Sequence, residues 1–271
     1  MLKEKILNPR YQYLDEKKEH LHCLDGKALI GTTTALGVLS KPLTWWAAEC
    51  AAVECLEAGI KIDTIRAEYE SAKNSPDKSS AIKLLEKKYP IFRKARYAHN
   101  EVKKTSAKKG TDLHAELERF CKTKMGLMDV KDFDPKINPF MDWTEKNVKR
   151  FLASEGYCYS EKLWTGGGMD AVAELNDGSY MIIDFKSSKE AYMSQFVQCG
   201  AYSLQIAENG ILDKDGKWEL KLDKPISSMA IVPFGAEKVE PVIRYDVKNC
   251  EEGFRSAVAL YKLIELNQNI T

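Results

Sequence analysis

The chain has 271 residues, with 41 Lys and Arg against 40 Asp and Glu. The formal charge of +1 rules out a uniformly basic or acidic protein, so any polyanion partner must be met by a local patch. Its 44% hydrophobic and 30% charged residues are ordinary for a globular domain, and no apolar run approaches the length of a bilayer span.

Seven cysteines, Cys23, Cys50, Cys55, Cys121, Cys158, Cys199 and Cys250, are scattered without a C-x-x-C pair. That spacing predicts reduced thiols in a cytoplasmic setting and excludes a zinc or iron–sulfur cysteine cluster. The segment MLKEKILNPRYQYLDEK lacks the apolar centre of a signal peptide.

In chain order, residues 1–26 are polar and tyrosine-rich and read as strand or loop. Lys27 to Leu39 mixes β-branched residues with glycine and then turns helical. A helix carrying Trp45, Trp46 and Leu56 starts at Pro42 and ends near Gly59, its tryptophans reading as core anchors. Helices follow from Asp63 to Lys73 and from the Asn74-Ser75-Pro76-Asp77 turn to Tyr89-Pro90. Residues 83–109 hold ten Lys/Arg and two Glu, a local excess of eight positive charges. Such a block is either a solvated helix face or an electrostatic footprint for phosphates.

From Ile91 to Lys124 the pattern is helical, with Leu113, Leu117, Phe120 and Cys121 forming a core-facing stripe. Gly110, His114 and Glu118 lie on an adjacent edge. A histidine there is either a boundary residue of the core or a ligand. After a loop over 125–140, the pattern predicts a helix from Phe140 to Leu152 and a strand from Tyr157 to Thr165 that carries Glu161. A helix over Lys189–Glu208 has Tyr192, Phe196, Cys199, Ser203 and Ile206 on its apolar face. Gln195, Gln198, Tyr202 and Gln205 form a polar stripe beside it. Strands over 217–222, 228–234 and 241–247 and a last amphipathic helix from Asn249 complete the chain.

The informative stretch is Gly166–Lys186. Two strand-like runs flank Asn176-Asp177-Gly178, a hairpin signal with Gly178 suited to positive φ. A hairpin centred on Asp177 places residues equidistant from it opposite each other, so Asp170 faces Asp184 with Cβ atoms roughly 5 Å apart. Opposed like charges are destabilising; a shared cation reverses the sign. Alternation puts Lys186 on the face of Asp184 and turns Phe185 away. Two carboxylates and a lysine on one face suit metal-assisted hydrolysis. The bland alternative is a surface hairpin with scattered charges, disfavoured because Met181-Ile182-Ile183 makes the second strand interior.

These residues resemble the motifs of the PD-(D/E)XK nuclease superfamily, in its RecB-like exonuclease branch. The helical G-x-x-x-H-x-x-x-E stands as Gly110, Thr111, His114 and Glu118. The glycine stretch ending in aspartate is Gly166-Gly167-Gly168-Met169-Asp170. The apolar strand ending D-x-K is Ile182-Ile183-Asp184-Phe185-Lys186, and Q-x-x-x-Y is Gln198 and Tyr202. The four motifs cover residues 110–202, and the N-terminal third is loosely similar to phage and prophage exonucleases.

The resemblance implies an α/β fold with a restriction-endonuclease-like core, a mixed β-sheet flanked by helices. A single nuclease domain would span 1–271, mostly helical over 1–90 with the core over 91–271. It further implies that His114, Asp170, Asp184 and the Phe185 carbonyl hold Mg²⁺ or Mn²⁺. Lys186 would act with Asp170 and Asp184 in catalysis. Gln198 and Tyr202 would bind the substrate backbone, Glu118 would orient His114, and Glu161 would be an outer candidate. No iron–sulfur cluster and no nucleotide cofactor are implied, since spaced cysteines and a Walker A loop are missing. The implied activity is DNA exonuclease, in recombination, repair or phage DNA processing, with a recombinase or annealing protein as a partner and no membrane. An endonuclease with the same site and a non-catalytic nucleic-acid-binding protein are the alternatives. Oligomeric state is left open.

Overall fold

The computed structural model describes residues 10–16, 19–39, 44–59, 62–217 and 219–268, with the backbone alone between 101 and 111. The chain divides into two compact units, residues 1–40 with 110–271 and residues 41–109.

The first unit opens with a small antiparallel sheet of β1 (Tyr11–Glu16), β2 (Glu19–Leu24) and β3 (Lys27–Ala28). The Asp25-Gly26 turn between β2 and β3 has positive φ at both residues, 51° and 71°, the backbone that tight hairpins require. Arg10 locks it by donating to the Asp25 carboxylate at 2.7 Å. Then β4 (Ile30–Gly31) leads into α1 (Thr32–Ala35) and a 3₁₀ turn over Leu36–Leu39.

The second unit is helical: α2 (Thr44–Glu57), α3 (Ile62–Lys73), α4 (Lys78–Lys88) and the first part of α5 (Pro90–Lys124). Asp77 caps α4 by accepting from Ser80 N at 3.1 Å, and α5 starts on Pro90, whose missing N–H costs nothing at a helix's first position. The expected start of α2 at Pro42 and the side chains of Trp45, Trp46 and Leu56 lie outside the described residues. Part of the basic block is neutralised within this unit. Lys88 pairs with Glu68 and Arg96 with Glu86, each at 2.7 Å, and Lys94 pairs with Glu54.

The rest of the chain builds the main sheet. In chain order come α6 (Asn138–Asn147), β5 (Val148–Ser160), β6 (Thr165–Leu175), β7 (Tyr180–Lys186) and α7 (Met193–Asn209). They are followed by β8 (Ile211–Leu212), β9 (Glu219–Leu220), β10 (Ile226–Pro233), β11 (Val242–Arg244) and α8 (Val247–Gln268). The strand order is β11-β10-β7-β6-β5-β8-β9, with β4 parallel to β6, β10 parallel to β7, and antiparallel pairing elsewhere. The fold is therefore α/β, a mixed sheet flanked by helices.

Alternation along β7 divides two cores. Tyr180 and Ile182 pack with Phe196, Cys199 and Ile206 of α7. Met181, Ile183 and Phe185 pack with Leu113, Leu117, Phe120 and Cys121 of α5 and Phe140 of α6. Burying about a dozen such side chains per face, at roughly 1.5–3 kcal/mol each, dominates the stability of this unit. The helices α7 and α8 meet where Gly200 leaves room: a Cβ there would lie 2.5 Å from the Cys250 carbonyl carbon.

Several expected boundaries move, among them these three. The helix predicted over Phe140–Leu152 ends at Asn147, and Val148–Leu152 opens β5. Phe151 and Leu152 are buried in opposite cores, and an apolar run buried on both faces carries no periodicity that separates strand from helix. Glu161 lies in the turn after β5, where it accepts from Arg10 at 3.0 Å, and not on a strand beside the glycines. The helix expected from Lys189 starts at Met193, where the Gln195 side chain accepts the Tyr192 N–H at 2.8 Å; Tyr192 is half exposed rather than in the core. All seven cysteines are free thiols, and among the described residues no helix is long and apolar enough to cross a membrane.

Candidate functional site

The β6–β7 hairpin has the register that its turn dictates. Ala171 pairs with Ile183, Val172 with Ile182 and Ala173 with Met181, all equidistant from Asp177. Gly178 has φ 79° and donates its N–H to Leu175 O at 2.9 Å. The ladder stops one pair short of Asp170 and Asp184. Asp170 Oδ2 instead accepts the Phe185 N–H at 2.6 Å, so the carboxylate takes the place of a strand neighbour.

The interruption has a cause in the strand itself. Met169 packs into the α7-side core and Ala171 into the α5-side core, although residues two apart on a regular strand share a face. The strand therefore turns over at Asp170. On β5, Ser154 pairs with Ala171 and Gly156 with Met169, which leaves Glu155 opposite Asp170 with φ 52°. Left-handed backbone at a non-glycine residue is strained and concentrates at functional sites.

Four side chains meet at this end of the sheet. His114 comes from α5, and its Nε2 lies 3.1 Å from Asp170 Oδ1. Its ring is held edge-on between Phe185 and Phe234, with centroids at 5.7 and 6.4 Å. Lys186 Nζ lies 2.5 Å from Asp184 Oδ2. That contact is ionic and poorly directed, for Oδ2 is buried and receives no well-aligned hydrogen bond. The Asp184 side chain is 2% exposed, and those of Asp170, Lys186 and His114 are 18%, 24% and 32% exposed, so the site opens on the Asp170 side.

Electrostatics follow from this burial. Burial raises the Asp184 pKa to about 7 against an ordinary 3.8, with Lys186 opposing and Asp170 adding to the rise. The hydrogen bond to Asp170 raises the His114 pKa against the effect of burial. For Lys186, burial opposes the ammonium but the two aspartates outweigh it, and its pKa is raised.

Two of the three glycines before Asp170 are explained by packing. A Cβ at Gly166 would lie 2.7 Å from His22 Cβ, and one at Gly167 would lie 2.6 Å from Thr32 Oγ1 and 2.7 Å from the Tyr202 ring. Tyr202 is 2% exposed and Gln198 9%. Gln198 Nε2 donates to Tyr202 Oη at 2.5 Å, and Gln198 also lines a shallow groove of about 180 Å³ with Thr33, Leu36, Leu39, Ser194 and Gln195. Gln205, expected on the same polar stripe, is fully buried and donates to Thr32 and Thr165, both at 3.0 Å. Its role is to tie α7 to β6.

Glu118 binds Lys122 rather than His114. Lys122 also reaches Glu155 Oε2 at 3.1 Å, and burial raises the Glu118 pKa. The positions of Gly110 and Thr111 are described by backbone alone. Lys122, Glu155, Phe234 and Gly235 escaped the sequence reading. The loop after β10 is drawn under the Lys186 strand by Phe234 N donating to Lys186 O at 2.9 Å and Gly235 N to Ser188 O at 3.1 Å. The Pro233-Phe234-Gly235 run was the only sign of it.

Among the described residues no three His, Cys, Asp or Glu side chains stand as a preformed metal cluster. Each carboxylate faces a cationic partner instead, Asp170 with His114 and Asp184 with Lys186. The donor set still fits a hard divalent cation: two carboxylates, the buried one held by the Lys186 ammonium that a metal ion would replace, and an imidazole at the rim. Comparison with protein-family models gives no match, and comparison with curated proteins gives none.

Proposed function

We propose that the chain is a metal-dependent phosphodiesterase of the PD-(D/E)XK type that acts on DNA as an exonuclease. The observation that carries the reading is the convergence of Asp170, Asp184, Lys186 and His114 at one end of the β6–β7 hairpin. A Mg²⁺ or Mn²⁺ ion held there would activate water and polarise the scissile phosphate. Asp170 and Asp184 would hold it, with His114 and the Phe185 carbonyl as further ligands.

The chain's own groups do the rest. The Phe185 N–H fixes the Asp170 carboxylate in place, so that no reorganisation is needed when substrate arrives. Lys186, released from Asp184 once that carboxylate has another cation, stabilises the charge growing on the phosphate oxygens. The two phenylalanine rings hold the imidazole of His114 in one orientation. Gln198 gives one amide N–H to Tyr202 and lines the groove, where its second amide N–H is suited to donating to the phosphate backbone.

The test is digestion of end-labelled linear DNA and of a closed single-stranded circle with Mn²⁺. An exonuclease degrades the linear substrate and leaves the circle intact, whereas an endonuclease cuts both. Linear-DNA hydrolysis that survives Asp184→Asn overturns the assignment. The internal pairing of each carboxylate with a cation favours one other reading, a nucleic-acid-binding protein that keeps the site without metal. Calorimetry with Mn²⁺ separates the two, since that reading predicts no heat of metal binding.

A further inference from the structure

Beside the glycine stretch lies an aromatic cluster that the candidate site does not use. The ring of Tyr157, on β5, passes over Gly168, 3.6 Å from where a Cβ would stand. Tyr13 packs on Tyr157 with ring centroids 4.6 Å apart and planes 30° apart. His20 continues this surface: its ring is parallel to that of Tyr13 within 3°, and the Tyr13 hydroxyl is joined to His20 Nδ1 at 2.9 Å. Tyr157 and Tyr13 are half-buried and His20 is exposed.

We propose that Tyr13, His20 and Tyr157 form a stacking ledge for unpaired nucleobases, holding a single strand whose phosphates lie at Asp170 and Asp184. This rests on the phosphodiesterase reading and adds to it the part of the substrate that the ledge recognises. Three observations support it.

The first is position. Gly168 is two residues from Asp170, roughly 7 Å along an extended strand, so a base attached next to a phosphate at the aspartates reaches the ledge. The second is rigidity, for Tyr13 and Tyr157 pack against the core of the small sheet. Tyr11, Leu24 and Leu29 bury the small sheet against Tyr159 and Leu212, with Tyr11 stacked on Tyr159 at 5.4 Å. Tyr13 is held further, its N–H donating to Lys214 O at 2.7 Å. A fixed flat surface costs little entropy when a ring settles on it, and stacking on aromatic side chains tolerates any base.

The third is the sign of the rim. Asp15 lies 3.1 Å from His20. Burial pushes the Tyr157 pKa up to about 12, and nearby Glu155, Asp15 and Glu118 add to the rise. An acidic border repels phosphates, so the ledge presents itself to bases and leaves the backbone to Lys186 and to the cation that Asp170 and Asp184 would hold. Paired bases hide their faces in the duplex stack, which confines the ledge to unpaired ends and single strands.

The experiment uses the full chain at low salt with Ca²⁺, a hard divalent cation that neutralises the aspartates, and the probes are checked to be intact after each titration so that binding is read without hydrolysis. The probes are a short fluorescein-labelled oligodeoxythymidylate and an abasic oligonucleotide of equal length, compared by fluorescence anisotropy. The wild type is expected to bind the thymidylate roughly tenfold more tightly than the abasic strand, and Tyr13→Leu to bring the ratio close to one. Exposed His20→Ala serves as the second variant, with the same expected fall, should Tyr13→Leu lose its circular-dichroism spectrum. Equal affinities for the two probes in the wild type, including no binding of either, overturn the ledge. So does an unchanged ratio in a folded variant. Hydrolysis of the same thymidylate by the wild type with Mn²⁺ is read separately, and its absence would count against the phosphodiesterase and not against the ledge.

Discussion

Replacing Asp184 by asparagine should change how stability depends on pH in the metal-free protein. The carboxyl is buried and carries a pKa of about 7 against an ordinary 3.8. Because the folded-state value is raised, this group's contribution to stability is complete below the ordinary value and is lost as pH rises through the folded one. Between pH 5 and pH 8 the unfolded chain is ionised throughout while the folded carboxyl gives up its proton. Integrating the difference in bound protons gives a loss of roughly 2–3 kcal/mol. The asparagine amide cannot titrate, so the variant lacks this loss. The assay is urea unfolding of both proteins at several pH values in EDTA, read as the difference between the two curves. That comparison cancels any constant effect of leaving Lys186 without its partner, which is itself a large term for a buried ion pair. A saturating divalent cation should flatten the wild-type curve by holding the carboxylate ionised. Parallel curves for the two proteins would show that Asp184 is not protonated in the apo fold and would remove the electrostatic basis for the cation fit.

Further outcomes follow from the same geometry. Lys186→Ala should lower kcat on DNA by roughly 10²–10³-fold while tightening Mn²⁺ binding, since the ammonium no longer competes for Asp184; calorimetry and steady-state kinetics check both. His114→Ala should raise the Mn²⁺ concentration needed for half-maximal hydrolysis, and an unchanged requirement would make His114 a partner of Asp170 alone. Gly167→Ala must push against Thr32 and the Tyr202 ring and should cost about 1–3 kcal/mol of stability by denaturant unfolding. DNA affinity should fall steeply with salt, although less than the basic block suggests, because Lys88, Lys94 and Arg96 are already paired with Glu68, Glu54 and Glu86; a flat response would separate that block from the substrate.

The hairpin register was legible because one turn sets it: Asn176-Asp177-Gly178 leaves few ways to close the two strands. The stripe Leu113, Leu117, Phe120 and Cys121 was legible for the same local reason, and all four are buried. What escaped were features that arise only between elements. The turning-over at Asp170 needs two cores, one on each side, and a sequence pattern carries one periodicity at a time. Glu155 and Lys122 lie far apart in sequence and became neighbours through β5 and α5, so no spacing rule joins them. The glycines before Asp170 stood out only as part of a motif, and nothing local showed that Gly166 and Gly167 make room for His22, Thr32 and Tyr202. Gln205 read as surface for lack of any local cue that Thr32 and Thr165 would satisfy its amide.

The pairing of β4 with β6 bears on how this protein assembles. Ile30 lies beside Thr165 and Gly31 beside Gly166, and the Thr32 hydroxyl donates to Gly166 O at 3.0 Å. The strand that leads to Asp170 is thus edged by a segment made more than a hundred residues earlier. During synthesis that segment must wait, unpaired, until β6 and β7 have emerged. Contacts of such long sequence separation slow folding, because loop closure precedes any gain from the pairing. Closing the end of the sheet that carries the aspartates therefore requires a contact across more than a hundred residues, which a chain cut between β4 and β6 would have to recover by association of its two pieces.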